Sequence, residues 1–237
     1  MIRVLALVLL VVASGARANC RQALALGLDV SGSVDAQEYR LQLDGLALAL
    51  GDADVTTALL DPTGGTVQIA VYEWSAPARQ RVILPWTEVV DLAVLTQLRG
   101  QLAGTQRVDL GPSTGLGNAM QFGFSLLEAR SECWTRTLDI SGDGKGNTGR
   151  RPQDITDVPD GVTVNGLVIG VDDSNSAATR DLQVGELTAY YNAYVIRGSG
   201  AFVETALGFE DYADAMRRKL LRELKTFAIG QLESSPQ

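Results

Sequence analysis

Between Ala23 and Val30 the chain reads ALALGLDV, an apolar run with one carboxylate near its end. Such a run predicts a strand buried on both faces, as in a parallel sheet. Ser31, Gly32 and Ser33 end it. Asp35-Ala-Gln-Glu38 then reads as a helix-start capping box, and Tyr39, Leu43, Leu46 and Leu50 recur at helical spacing. Beyond a loop holding Pro62, Gly64 and Gly65 come TVQIAVYEW at 66–74 and RQRVILPW at 79–86. Only a short stretch with Pro77 separates them, which predicts a hairpin at the sheet edge.

A helix is expected at 88–102, then a loop rich in Gly, Pro, Ser and Thr at 104–117, then an apolar helix from 115 to Arg130. TRTLDIS at 135–141 is the next strand, broken by Gly142-Asp143-Gly144-Lys145-Gly146-Asn147, and VTVNGLVIG at 162–170 is another, ended by Val171-Asp172-Asp173. A helix at 180–194 leads to a short strand at 201–205. The last helix carries Phe209, Tyr212, Ala213, Met216, Leu220, Leu224 and Phe227 on one face, which reads as a core face. Glu210 and Asp211 stand early in it, and Arg217, Arg218 and Lys219 later, as the helix dipole favours. Strands alternating with helices, with no repeat and no linker, predict one doubly wound α/β domain over 19–232. Its sheet should be mostly parallel with one antiparallel edge strand and helices on both faces. Residues 233–237 read as a disordered tail.

The composition narrows the chemistry. The 237 residues hold 20 Lys+Arg against 28 Asp+Glu, two Cys and no His. Without histidine no Ser-His-Asp, Cys-His or His-zinc arrangement exists, and two cysteines make neither a four-thiolate zinc site nor an iron-sulfur cluster. A formal charge of −8 argues against binding nucleic-acid phosphates or an anionic membrane surface. Hard cations and basic partners fit better.

Arg3, the apolar run Val4 to Ala13 and Ala16-Arg17-Ala18 together predict a cleaved secretory signal over Met1–Ala18. About ten strongly apolar residues fall short of the roughly 20 that span a bilayer. The mature chain would start at Asn19, outside the cytoplasm, periplasmic or secreted, with no membrane span. In an oxidising compartment an even cysteine count favours a disulfide. A Cys20–Cys133 bond requires the strands that follow these residues to start side by side; two unpaired small core residues are the alternative.

In an open parallel sheet, ligands bind beyond the carboxyl ends of the strands, where strand order reverses. Three loops there carry oxygen donors: Asp29-Val30-Ser31-Gly32-Ser33, Thr114 in TGLGNAM at a helix entrance, and Asp143 in SGDGKGN. Each alone reads as an ordinary turn or cap. Together, DxSxS, Thr in TxxGxAM and Asp-Gly after a late strand resemble the von Willebrand factor A domain, over about Leu24 to Leu224. Its metal-ion-dependent adhesion site uses those positions. More narrowly, VYEWS, LPW, DISGDGKGN, VNGLVIG and GAFVETA resemble an uncharacterised bacterial family of exported proteins with this fold.

The resemblance implies hydroxyl ligands from Ser31, Ser33 and Thr114, with Asp29 and Asp143 binding directly or through water. Magnesium suits such a set, because it takes six oxygens at about 2.0–2.1 Å and usually only one or two carboxylates. Manganese or calcium could substitute. The ion would stay electrophilic enough to take an Asp or Glu carboxylate from a protein partner.

Other acids carry weaker cases. Asp172 and Asp173 end a strand near the same rim, and Asp109 precedes the Thr114 loop; Asp35 is a cap. Glu73 lies outside the general domain pattern, and Trp74 and Trp86 read as packing. TGLGNAM does not read as a nucleotide loop, since Met120 stands where GxGxxG needs its last Gly, and Lys145 lacks the GxxxxGK[ST] frame. No serine lies in GxSxG and no paired base is visible, so an enzyme is not expected. Two alternatives stay open: a metal-dependent hydrolase of a periplasmic substrate with Asp172 or Asp173 as base, and a structural domain whose ion only ties three loops together.

Overall fold

A computed structural model describes residues 19–170 and 177–233. Met1–Ala18, Asp172 and Asp173, and residues 234–237 lie outside the described residues. Six strands among those described form one sheet: β1 (Cys20–Asp29), β2 (Thr66–Trp74), β3 (Gln80–Val89), β4 (Thr135–Gly142), β5 (Val162–Ile169) and β6 (Val203–Ala206). Their order is β3-β2-β1-β4-β5-β6, parallel throughout except for the antiparallel edge strand β3. The helices are α1 (Ala36–Leu50), α2 (Ala53–Leu59), α3 (Leu92–Gly104), α4 (Leu116–Glu128), α5 (Ala177–Tyr194) and α6 (Tyr212–Glu233).

All ten residues of β1 are buried, as its unbroken apolar run requires. Leu24, Leu26 and Leu28 join the core under α1, α3 and α6, while Ala23 and Ala25 face α4 and α5. Burying each leucine contributes about 1.5–3 kcal/mol. Gly27 has a steric reason: a Cβ there would lie 2.6 Å from the Tyr72 hydroxyl. Trp74 is fully buried on the same face, and the Trp86 ring lies against the Arg130 guanidinium at 5.2 Å. β1 is followed by β2 on one side and β4 on the other, so its carboxyl end is the switch point.

Cys20 and Cys133 are joined, with Cα atoms 4.6 Å apart, and Gln22 pairs with Thr135 as β1 and β4 start side by side. The Asp35 capping box is present: Asp35 Oδ1 accepts from the Gln37 and Glu38 N–H groups at 2.7 and 2.8 Å, and the Asp35 N–H donates to Glu38 at 2.7 Å.

Several boundaries differ from expectation. β3 runs through Pro85 to Val89, so α3 starts at Leu92 rather than 88, capped by Asp91, which accepts from the Val94 N–H at 2.9 Å. Proline is tolerated because β3 is an edge strand, and the pairing register shifts between Ile69 and Val71 opposite it. α5 starts at Ala177 rather than 180, β6 spans 203–206 rather than 201–205, and Phe209 lies in a single turn before α6. Helix α2 was not anticipated. Its cap, Asp52, accepts from the Asp54 and Val55 N–H groups and pairs with Arg217 of α6 at 2.8 Å.

The dipole reading of the α6 cations is corrected. The helix runs to Glu233, so these residues stand in its first half. Lys219 is fully buried, with Asp139 of β4 at 2.7 Å and Glu223 at 2.6 Å. Asn165 donates to the same Glu223 oxygen at 2.7 Å, so a buried polar network ties α6 to the sheet centre.

Candidate metal centre

The carboxyl ends of β1 and β4 bring Asp29 and Asp143 together with the loop before α4. Asp29, the last residue of β1, is fully buried; its Oδ1 accepts from the Ser31 N–H at 2.8 Å and its Oδ2 has no hydrogen-bond partner among the described residues. The Ser31 and Ser33 hydroxyl oxygens lie 3.3 Å apart, and Ser33 donates to Asp143 Oδ1 at 2.9 Å. Thr114 Oγ1 completes the chain, 3.4 Å from Ser31 Oγ. Asp143 Oδ2 is buried and unpartnered. All five residues predicted from the three motifs thus meet in one cluster.

The cluster is electrostatically uncomfortable without a cation. Burial, and then the Asp143 charge, push the Asp29 carboxyl up to about 8, against the opposing Ser31 hydrogen bonds. Burial likewise raises Asp143, opposed by the Ser33 hydroxyl. Two orphaned carboxylate oxygens beside three hydroxyls make an all-oxygen donor set with two negative charges, the chemistry of a hard divalent cation. Among the described residues no three Asp, Glu or Cys side chains form a metal cage, so an ion held here would draw on hydroxyl or water oxygens besides the two carboxylates.

Residues that sequence reasoning passed over hold these ligands in place. Asn147 clamps Thr114 from across the cluster: its Oδ1 accepts the Thr114 N–H at 2.9 Å, and its own N–H donates to the Thr114 carbonyl at 3.0 Å. Ser75, just after β2, donates to the carbonyls of Gly111 and Ser113, and its own carbonyl accepts the Gly115 N–H at 2.7 Å. Gln42 of α1 donates to the Asp29 carbonyl at 3.0 Å. No local pattern marks these residues, because each acts on a loop distant in sequence.

Asp109 and Glu73 have structural partners. Asp109 accepts the Gly111 N–H at 2.8 Å as a turn residue. Glu73 is buried under the first loop, where burial raises its pKa against the Tyr39 hydroxyl at 2.6 Å and Arg81 at 2.7 Å. Exposed Arg107 lies over the Tyr39 ring, with Nη2 3.4 Å from the Val30 and Ser31 carbonyls. On the other side a pocket of about 240 Å³ opens beside Asp143, walled by Ile169, Val184 and Leu187, with Lys145 and Glu186 at its rim.

A doubly wound sheet of this strand order is the fold of von Willebrand factor A domains, and solved structures share it. Proximal thread matrix protein 1 from the mussel byssus, with a zinc-occupied MIDAS motif, is 17% identical at a TM-score of 0.56, covering 88% of this chain and 49% of that one. A von Willebrand factor type A protein from Catenulispora acidiphila is 14% identical at a TM-score of 0.55, with 86% and 43% covered. The vWF domain of the type V pili tip protein Mfa5 from Porphyromonas gingivalis is 12% identical at 0.51, with 90% and 96% covered. The chain thus spans about half the length of the mussel protein. No curated protein matches it. The chain belongs to the family described as protein of unknown function (DUF1194), which it matches over residues 19–228.

Proposed function

We propose that this protein is an exported binding module that holds a divalent cation through Asp29, Ser31, Ser33, Thr114 and Asp143 and uses it to ligate a carboxylate of a protein partner. The observation that carries the reading is the pair of buried, unpartnered oxygens, Asp29 Oδ2 and Asp143 Oδ2, beside a run of hydroxyls. Buried carboxylates are costly unless paired or coordinated, and among the described residues neither of these two oxygens has a hydrogen-bond partner. The donor set is hard oxygen throughout, which favours magnesium or manganese, with calcium a further candidate.

A bound ion supplies Lewis acidity toward an incoming carboxylate. Asp29 and Asp143 would supply the charge that retains it, and the three hydroxyls would add neutral donors without cancelling the charge left for a partner's carboxylate. Asn147 and Ser75 hold the Thr114 loop so that its hydroxyl need not be ordered on binding. Exposed Arg107 flanks the cluster and favours an anionic partner on a chain whose net charge is −8, while Lys145 on the other side is paired with Glu186 at 2.5 Å. The apolar pocket beside Asp143 offers room for a side chain next to the ligating acid.

Export rests on the secretory pattern of Met1–Ala18 and on likeness to pilus and byssus proteins. Among the described residues no helix is long and apolar enough to cross a membrane. The test is affinity capture on the immobilised mature chain in magnesium. A partner that binds, and is lost both in EDTA and with Asp143→Ala, supports the reading. Capture that survives both treatments sinks it.

A further inference from the structure

Tyr191 of α5 is fully buried, and its hydroxyl has no hydrogen-bond partner among the described residues. Asp29 Oδ2 is likewise buried and without a donor, and so is the indole nitrogen of Trp74, the register neighbour of Asp29 on β2, without an acceptor. These groups converge on one point. A Cβ at Gly142 would lie 2.6 Å from Tyr191 Oη, 3.2 Å from Asp29 Oδ2 and 3.4 Å from Trp74 Cζ2. Glycine leaves that point open, so a hydroxyl donor and a carboxylate acceptor face one another across it. Sealed from bulk water, each is the complement the other lacks.

We propose that Tyr191 is a positioning residue for Asp29: its hydroxyl donates to one lone pair of Oδ2, directly or through one bridging water, and fixes the carboxylate while the second lone pair of Oδ2 stays available to the ion. This rests on the metal reading of the site. A carboxylate that ligates a metal is typically held by outer hydrogen bonds of this kind, and their loss weakens metal binding. Burial first, then the charges of Asp29 and Asp143, push the Tyr191 phenol well above its ordinary pKa. The hydroxyl therefore keeps its proton and serves as a donor at every working pH.

Tyr191→Phe keeps the ring and removes only the oxygen. In the full mature chain stripped with EDTA, the urea midpoint should fall, because a hydrogen bond to a buried carboxylate is lost. An unchanged or higher midpoint overturns the proposal, since deleting an orphaned hydroxyl is neutral or stabilising. With magnesium as the probe, the variant should bind about 10-fold or more weakly. The near-ultraviolet tyrosine difference signal that magnesium elicits in wild type should vanish in the variant. A lower midpoint with wild-type magnesium affinity and an unchanged signal would make Tyr191 a packing residue only and overturn the positioning role. If wild type takes up no magnesium, the metal reading falls, and the EDTA comparison alone still decides whether Tyr191 holds Asp29.

Discussion

The burial of Asp29 makes the stability of the metal-free protein depend on pH in a direction opposite to that of an ordinary salt-bridged acid. Its carboxyl is pushed up to about 8 by desolvation and by Asp143, against an ordinary value of 3.8. Between those values the native state holds a proton that the unfolded chain has released. Stability from this group is therefore greatest at low pH within the window and is lost as pH rises, by about 1.4 kcal/mol per unit until the native pKa is approached. From pH 6 to 8 the loss comes to about 2 kcal/mol, and the ionised fraction that can ligate a cation rises about 50-fold. Asp139, pushed up to about 7 by burial against the pull of Lys219, adds a slope of the same sign. The comparison is therefore between wild type and Asp29→Asn, both in EDTA, by urea denaturation at pH 6, 7 and 8. The stability difference between the two should change by about 2 kcal/mol across that range, and magnesium should restore wild-type stability most at pH 8. A difference that stays flat with pH, or a wild type that gains stability as pH rises, would refute the reasoning.

Three further outcomes follow from particular contacts. Reducing the Cys20–Cys133 bond, which closes a loop of sequence separation 113, should lower stability by about 2–5 kcal/mol in urea melts with and without reductant. Lys219→Met leaves Asp139 and Glu223 buried without their shared cation and should cost about 3–5 kcal/mol, partly recovered when both acids are also replaced by leucine. Asn147→Ala strips the Thr114 N–H of its acceptor, which should cost about 1–3 kcal/mol in the same melts. It should also weaken magnesium binding about tenfold by calorimetry, although Asn147 is not a ligand in this account.

The strands and the loops that carry the cluster could be read in advance because their signals are local. β1 shows itself as an unbroken apolar run, and DxSxS, TGLGNAM and SGDGKGN each announce a loop that follows a strand or precedes a helix. The disulfide could be stated as a topological condition, which β1 and β4 satisfy. What stayed hidden depends on partners far along the chain. Lys219 looks like any cation of an amphipathic helix until Asp139 and Glu223 close around it. Tyr191 is one aromatic among several in a helical stretch until the sheet brings Gly142 and Asp29 beneath it. Pro85 seemed to end a strand, and only an edge position with a shifted register lets β3 continue through it. Helix α2 is short, and its cap is fixed by Arg217 from the other end of the chain.

The central claim, that the five-residue cluster holds a divalent cation, is tested most directly by calorimetric titration of the chelator-stripped mature protein with magnesium and with manganese, beside Asp29→Ala and Asp143→Ala. The account predicts binding at one site in wild type and none in either variant, with both variants still folded. A folded wild type that takes up neither ion, or variants that bind as wild type does, would contradict it.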